Sequence, residues 1–144
     1  MQFNVLQPFF NAISLPMNLT ITHQQGANLL LAEGTILEAD FQLLADEIEK
    51  IPFTEDKFVL VDCASIRHLI KNNYGFSGYI NNLLHLHAKK TSIILFGNNP
   101  QVLRLTKLLR LDHILSFAPT LDEAYTLLNK ALNGSAAEAA TEYA

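Results

Sequence analysis

Three short apolar runs constrain the fold of this chain most strongly. They alternate with segments of helical periodicity and read Phe58-Val59-Leu60-Val61, Ile93-Ile94-Leu95-Phe96 and Ile114-Leu115-Ser116-Phe117. Continuous apolar runs of this length are typical of strands that are buried on both faces. Helices that return the chain to the same edge make such strands parallel. The pattern therefore predicts an α/β domain with parallel strands at its centre.

A hairpin and a first helix are predicted before these strands. Leu19 to Thr22 alternates in polarity as a strand does, Gln25 to Asn28 suits a turn, and Leu29 to Ala32 forms a second strand. A helical face follows, and it ends at Ile51-Pro52 because proline disfavours the helical conformation of the residue before it; its members are Phe41, Leu44, Ala45 and Ile48. The sheet is therefore expected to be mixed.

The second helix is predicted to begin near Asn72 or Asn73 and to run to about Lys89. The side chains that it is expected to bury are Phe76, Ile80, Leu83, Leu84, and His87 or its neighbours.

Capping residues predict the last two helices. Asn99 followed by Pro100 suits the start of the third helix, whose inward side chains are expected to be Val102, Leu105, Leu108 and Leu109. A capping box, Thr120 to Glu123, opens the fourth helix, and Asn133-Gly134 is expected to close it. Four principal helices are thus predicted.

Length and composition indicate one compact domain. The chain has 144 residues, of which 49% are hydrophobic and 17% charged. The net charge of −4 offers no broad basic surface to a phosphate backbone, so nucleic-acid binding is not expected. Cys63 is the single cysteine, which excludes an intrachain disulfide and suits a cytoplasmic setting. No run reaches the length of about 20 apolar residues that spans a bilayer, so membrane insertion is not expected either.

Residues 18–133 are predicted to form the domain, flanked by two segments of different character. Residues 1–17 form an apolar extension that either packs on the domain itself or joins two copies as a homodimer; its large apolar side chains are Phe3, Val5, Leu6, Phe9, Phe10 and Ile13. Residues 134–144 are expected to form a flexible tail, because Ser135 to Glu142 is small and polar with no large apolar anchor.

A polar loop after the first parallel strand is the predicted functional site. It runs from Ala64 to Gly75 and joins the carboxyl end of a strand to the amino end of a helix. Binding sites of open α/β sheets gather at such places. Asn72 and Asn73 suit a helix cap, and capping uses one side chain and leaves the other free to face a partner.

The whole pattern resembles the STAS domain of anti-anti-sigma factors over roughly residues 18–132. The resemblance rests on an ordered set of segments: Val59-Leu60-Val61-Asp62, the loop before Gly75-Phe76, Ser92 to Gly97, Pro100-Gln101-Val102, Leu111-Asp112 and Leu121 to Ala124. It implies a bacterial signal-transduction protein that regulates transcription by binding other proteins. A kinase-like anti-sigma factor is the partner that it implies.

The phosphorylation motif of that family is absent. Anti-anti-sigma factors usually carry Asp-Ser-Ser/Thr-Gly before the helix, with the first hydroxyl phosphorylated by the partner kinase. Anchoring on Gly75 places Asn72, Asn73 and Tyr74 at the first three positions, whereas an ungapped count from Asp62 places Ile70, Lys71 and Asn72 there. Neither alignment supplies the hydroxyl. The resemblance thus implies a partner-binding surface of Asn72, Asn73, Tyr74, Gly75 and Ser77, with Ser77 or Ser65 as the alternative acceptor of a phosphoryl group.

Catalytic, metal and cofactor sites are not predicted. His85 and His87 are two residues apart and point about 200° away from each other on a helix, so they do not chelate one ion from one face. Ser77 lacks the Gly-x-Ser-x-Gly spacing of a hydrolase elbow, and no glycine-rich nucleotide motif occurs. The turn Gly97 to Pro100 could present helix N–H groups to an anion, but an ordinary helix cap accounts for it.

The sequence therefore predicts a non-enzymatic regulatory binding module without a cofactor. The alternative is a structural STAS subunit that assembles into a larger signalling or transport complex without a phosphorylation switch.

Overall fold

The fold is a five-stranded mixed sheet with helices on both faces. A computed structural model describes residues 16–24, 26–64 and 76–143. The strands are β1 (Asn18–Gln24), β2 (Ala27–Glu33), β3 (Asp56–Asp62), β4 (Thr91–Phe96) and β5 (Leu115–Ala118). The helices are α1 (Glu38–Glu49), α2 (Phe76–His87), α3 (Pro100–Leu108) and α4 (Leu121–Tyr143). The predicted mixed α/β fold with an N-terminal hairpin and four helices is confirmed.

The strands follow chain order across the sheet, β1-β2-β3-β4-β5. The hairpin strands β1 and β2 are antiparallel, and Gly26 turns between them with φ of +78°. β2, β3, β4 and β5 are parallel. The carboxyl ends of these four strands therefore lie at one edge of the sheet, the carboxyl edge, and their amino ends lie at the opposite, amino edge.

Alternate strand residues pack into two cores. One face carries Leu30, Val59, Val61, Ile93 and Leu95, which pack with α1, α2 and α3. The other face carries Leu29, Leu31, Phe58, Leu60 and Ile94, which pack with α4. Both faces of the central strands are thus removed from water, as the unbroken apolar runs predict.

α1 buries the four residues predicted for it, and α2 buries two of the predicted residues, Ile80 and Leu83, together with Leu86, which is next to His87. The side chains that α2 buries are Tyr79, Ile80, Leu83 and Leu86, while Leu84 is half-buried and His87 is exposed. Residues 79, 80, 83 and 86 lie on one helical face, and 84 and 87 lie beside it. The ring of Tyr79 meets that of Phe41 of α1 edge to face, with centroids 5.6 Å apart. The predicted start of this helix at Asn72 or Asn73 lies outside the described residues.

The predicted inward face of α3 is wrong at its end. Val102 is buried and Leu105 is half-buried, but Leu108 and Leu109 are 70% and 54% exposed. Leu108 is six residues from Val102 and so points about 120° away from it around the helix. The helix then ends at Leu108, and Arg110 turns the chain with a left-handed φ of +59°. The two leucines consequently lie on the surface.

α4 is longer than predicted. Its cap is confirmed, because the Thr120 hydroxyl accepts a hydrogen bond from the Glu123 N–H at 3.2 Å. The predicted end at Asn133-Gly134 is wrong, since the helix continues to Tyr143. The residues after Gly134 are mostly alanine and glutamate, which are strong helix formers and offset a glycine cost of about 1 kcal/mol. The flexibility of residues 134–144 stays a prediction, and residues 1–15 of the apolar extension lie outside the described residues.

Candidate functional site

The candidate site lies at the carboxyl edge, where β3 leads into the loop predicted to bind a partner. The chain leaves β3 at Asp62 and passes through Cys63 and Ala64, and α2 begins at Phe76. Residues 65–75 between these points lie outside the described residues. The structure therefore shows how the start of the loop is held.

Asp62 holds two neighbouring strand ends together. One carboxylate oxygen, Oδ1, accepts a hydrogen bond from the Ala64 N–H at 2.9 Å. The other, Oδ2, accepts one from the Gly34 N–H just past β2 at 3.2 Å. Hydrogen bonds to an ionised acceptor are stronger than neutral ones. Asp62 thus fixes the chain where it leaves both β2 and β3.

Asn99, which follows β4, connects the end of that strand to the chain just past β3. Its Nδ2 donates to the Cys63 carbonyl at 2.8 Å, and its Oδ1 accepts from the Val102 N–H at 3.3 Å. Only 3% of this side chain is exposed. The predicted cap of α3 is confirmed, and the same side chain also anchors the residue that precedes Ala64.

Gly97 permits the close approach of these segments. Its φ of +120° disfavours any residue with a side chain. A Cβ at this position would also lie 3.0 Å from the Ala64 nitrogen and 3.2 Å from Asp62 Oδ1. Glycine is therefore required here by both conformation and space.

Cys63 is enclosed by this arrangement. Its N–H donates to the Phe96 carbonyl at 2.8 Å, and its side chain is 1% exposed. Burial and, to a lesser degree, the neighbouring Asp62 carboxylate raise the pKa of the thiol to about 12. The thiol stays protonated near neutral pH and is therefore a poor nucleophile.

The structure does not bring the predicted site residues together in the described part of the chain. Asn72, Asn73, Tyr74, Gly75 and Ser65 all lie outside it. The backbone of Ser77 belongs to the first turn of α2. The partner-binding surface and the alternative phosphorylation sites therefore stay predictions.

Sequence reasoning missed the role of Asp62 beside this loop. The only signal was its place, an acidic residue directly after a buried strand and just before the loop. Its contact with Gly34 joins residues 28 positions apart, which no local pattern reveals.

The histidines form no metal centre in the part of the chain that the structure describes. No group of three or more histidine, cysteine, aspartate or glutamate side chains there has metal-binding geometry. His87 instead lies with its Nδ1 3.2 Å from the carbonyl oxygen of Thr91. No described helix is long and apolar enough to cross a membrane.

A solved structure shares this arrangement of strands and helices. It is an anti-sigma factor antagonist from Mycobacterium paratuberculosis, which matches with a TM-score of 0.51 and 18% sequence identity. The match covers 79% of this chain and 95% of the antagonist. The chain has the STAS fold. At this identity the likeness establishes the fold and confirms the resemblance at that level, including the mixed sheet and its helices.

Sequence comparison alone gives no such match. No protein-family model matches the chain, and no curated protein is significantly similar to it. The STAS fold of this chain is therefore recognised from its three-dimensional arrangement and from the order of its segments.

Proposed function

We propose that this protein is a non-enzymatic regulatory binding module of a partner-switching pathway. The observation that carries the proposal is the STAS fold shared with a protein named an anti-sigma factor antagonist. The partner on this proposal is a kinase-like anti-sigma factor, and the setting is the bacterial cytoplasm. The binding surface is the segment of Asn72, Asn73, Tyr74 and Gly75 with Ser77 at the start of α2.

The frame at the carboxyl edge supports this placement of the surface. Asp62, Gly97 and Asn99 hold the chain up to Ala64 through backbone hydrogen bonds and close packing. A loop that leaves a fixed point pays less ordering entropy when it binds. The frame thus suits a loop whose task is to present a surface to another protein.

The loop composition suits a state that does not depend on phosphorylation. A phosphoryl group would add about −1.5 to −2 charges at this place. Asn72 and Asn73 are uncharged, yet they offer hydrogen-bond donors and acceptors. In this proposal they resemble the unmodified surface of a switching protein and keep it permanently competent to bind.

The missing acceptor hydroxyl also favours a second candidate function. A STAS domain that is never phosphorylated suits a structural subunit of a larger signalling or transport complex. The two functions differ in their partners, since a kinase-like anti-sigma factor would bind reversibly and a scaffold would form a lasting stoichiometric assembly.

Affinity capture from the native cell tests the proposal. The intact protein serves as bait beside the variant Asn73→Asp/Ser77→Asp, and Lys130→Glu on the exposed side of α4 serves as a charge-changing control. We expect the intact protein and the control to retain a kinase-like anti-sigma factor that the double variant loses. Equal capture by all three baits would contradict the proposed surface.

Phosphate mapping tests the proposed independence from phosphorylation. The protein is incubated with the captured partner and ATP, and modified residues are identified by mass spectrometry. We expect no stoichiometric phosphate on the chain. Stoichiometric phosphate on Ser77 or Ser65 would show instead that a displaced acceptor operates the switch.

A further inference from the structure

A basic surface with two exposed leucines lies on the second half of α3 and just after its end. We name Arg104, Lys107, Leu108, Leu109 and Arg110 the basic leucine patch. All five side chains are exposed, and no described carboxylate forms an ion pair with its three cations. The patch is unusual for this protein, because the whole chain carries a net charge of −4. Contiguous exposed apolar surface with a polar rim is typical of an interaction site, and Leu108 and Leu109 are adjacent.

A surface of the opposite charge lies on α1. Leu43 is 45% exposed, and the residues that adjoin it on the helix, three before, three after and four after, are Asp40, Asp46 and Glu47. We name these four residues the acidic leucine face. α1 contains five acidic residues and no lysine or arginine. Lys50 pairs with Glu47 at 3.0 Å, and the negative balance of the face therefore comes from Asp40 and Asp46.

The two surfaces do not neutralise each other within one chain. α1 connects β2 to β3, α2 connects β3 to β4, and α3 connects β4 to β5, all on the same face of the sheet. α2 therefore lies between the helices that carry the two surfaces. Leu43 and Leu108 accordingly stay exposed in the single molecule.

We propose that the acidic leucine face of one copy binds the basic leucine patch of a second copy, head to tail. Each surface offers an exposed leucine among charges of one sign, and the charges of the two surfaces are opposite. Opposite charges raise the rate of encounter and fix the register, and the leucines leave water when they meet. Because the contact joins two different surfaces, it generates rings or open chains rather than a twofold dimer.

The basic side of this contact lies away from the candidate partner site. α3 starts at the carboxyl edge, where Asn99 contacts Cys63, and runs back so that its end precedes β5 at the amino edge. The basic leucine patch therefore lies at the opposite end of the domain from the loop. The inference concerns assembly and does not depend on the proposed function.

Sedimentation velocity of the full chain tests the contact. We expect the weight-average sedimentation coefficient to rise with protein concentration in about 0.1 M salt and to fall in about 1 M salt, where the screening length shrinks from about 10 Å to about 3 Å. Both Arg104→Glu/Lys107→Glu and Asp46→Lys/Glu47→Lys should weaken association at least about tenfold. The control Lys90→Glu/Lys130→Glu, which reverses two exposed lysines outside both surfaces, should associate as the intact protein does.

Mixing the two reversed variants provides the decisive result. Alone, each variant carries two surfaces of like charge, whereas a mixture pairs opposite charges at both kinds of contact. We expect the mixture to recover association that neither variant shows alone, with thermal melting confirming that both variants are folded. A monomeric intact protein, association unaffected by either reversal, or a mixture that stays dissociated would each overturn the proposal.

Discussion

Asn99 joins the start of α3 to the end of β3, because its Nδ2 donates to the Cys63 carbonyl at 2.8 Å while its Oδ1 caps the helix at the Val102 N–H. One buried side chain therefore satisfies a helix terminus and a carbonyl beside the candidate loop. An ordinary capping side chain bonds only to the N–H groups of its own helix, whereas Asn99 also bonds to a carbonyl outside it.

Asn99→Ala should consequently cost more than the loss of an ordinary cap. It removes the cap, worth about 1 kcal/mol, and leaves a buried carbonyl without its partner, worth about 1 to 3 kcal/mol. Thr120→Ala at the exposed cap of α4 is the matched control and should cost about 1 kcal/mol. Urea unfolding measures both values. Equal losses in the two variants would show that the bond to Cys63 contributes nothing.

Substitutions at Gly97 and Gly26 can be compared directly, because both glycines have positive φ but only Gly97 has neighbouring atoms close to an added Cβ. A Cβ at Gly26 would meet nothing within 4 Å, whereas one at Gly97 would lie 3.0 Å from the Ala64 nitrogen. Gly26→Ala should cost about 1 to 2 kcal/mol from backbone strain alone. Gly97→Ala should cost about 1 to 3 kcal/mol more, because its backbone conformation is rarer and the strand ends must separate. Thermal and urea unfolding test this order, which a smaller loss for Gly97→Ala would contradict.

Local signals in the sequence predicted the parts of this fold that depend on neighbours in the chain. The caps at Asn99 and Thr120 involve residues three positions apart, and the buried face of α1 repeats with the helical period. The apolar runs marked the strands because burial on both faces leaves no polar alternation. Such features depend on interactions between residues close in the chain, and the sequence therefore predicted them.

Features that depend on contacts between distant parts of the chain were not predicted from the sequence. The bond from Gly34 to Asp62 depends on how β2 and β3 align in the sheet. The exposure of Leu109 depends on where α3 stops and on the left-handed turn at Arg110, a conformation that arginine does not signal. The candidate partner loop was placed by its position at the carboxyl end of a strand, and its partner-binding residues by resemblance. These residues stay predictions, because the loop composition fixes no alignment for the missing motif.

The third prediction compares the stability losses of alanine substitutions at two adjacent leucines of α2. Leu83 is fully buried, while Leu84 is half-buried at the margin of the core. Leu83→Ala should cost about 2 to 5 kcal/mol because it leaves a cavity in packed surroundings. Leu84→Ala should cost less by about 1 to 2 kcal/mol, since water can fill part of the space that it leaves. Urea unfolding of both variants checks this, and an equal or greater loss for Leu84→Ala would contradict the assigned face.

The buried thiol of Cys63 should make stability fall at alkaline pH. Its pKa is raised to about 12 in the folded protein from an ordinary value of 9.0, mainly by burial. Between these values the unfolded chain loses a proton that the folded protein retains. The stabilisation is thus fully present below pH 9 and is lost as the pH rises toward 12. Each pH unit in this window should lower the free energy of unfolding by about 1.4 kcal/mol through this group.

A comparison with Cys63→Ala isolates this contribution from the lysines and tyrosines that titrate in the same range. The variant removes the thiol proton but leaves those groups in place, so its free energy of unfolding should fall less steeply above pH 9. By pH 10.5 the difference between the two proteins should have changed by about 2 kcal/mol from its value at pH 8. Urea unfolding at a series of pH values measures it, with a reducing agent present to keep the unfolded thiol from oxidising. Parallel curves for the two proteins would mean that the thiol ionises as easily in the folded state as in the unfolded chain, and Cys63 would then be reactive rather than inert.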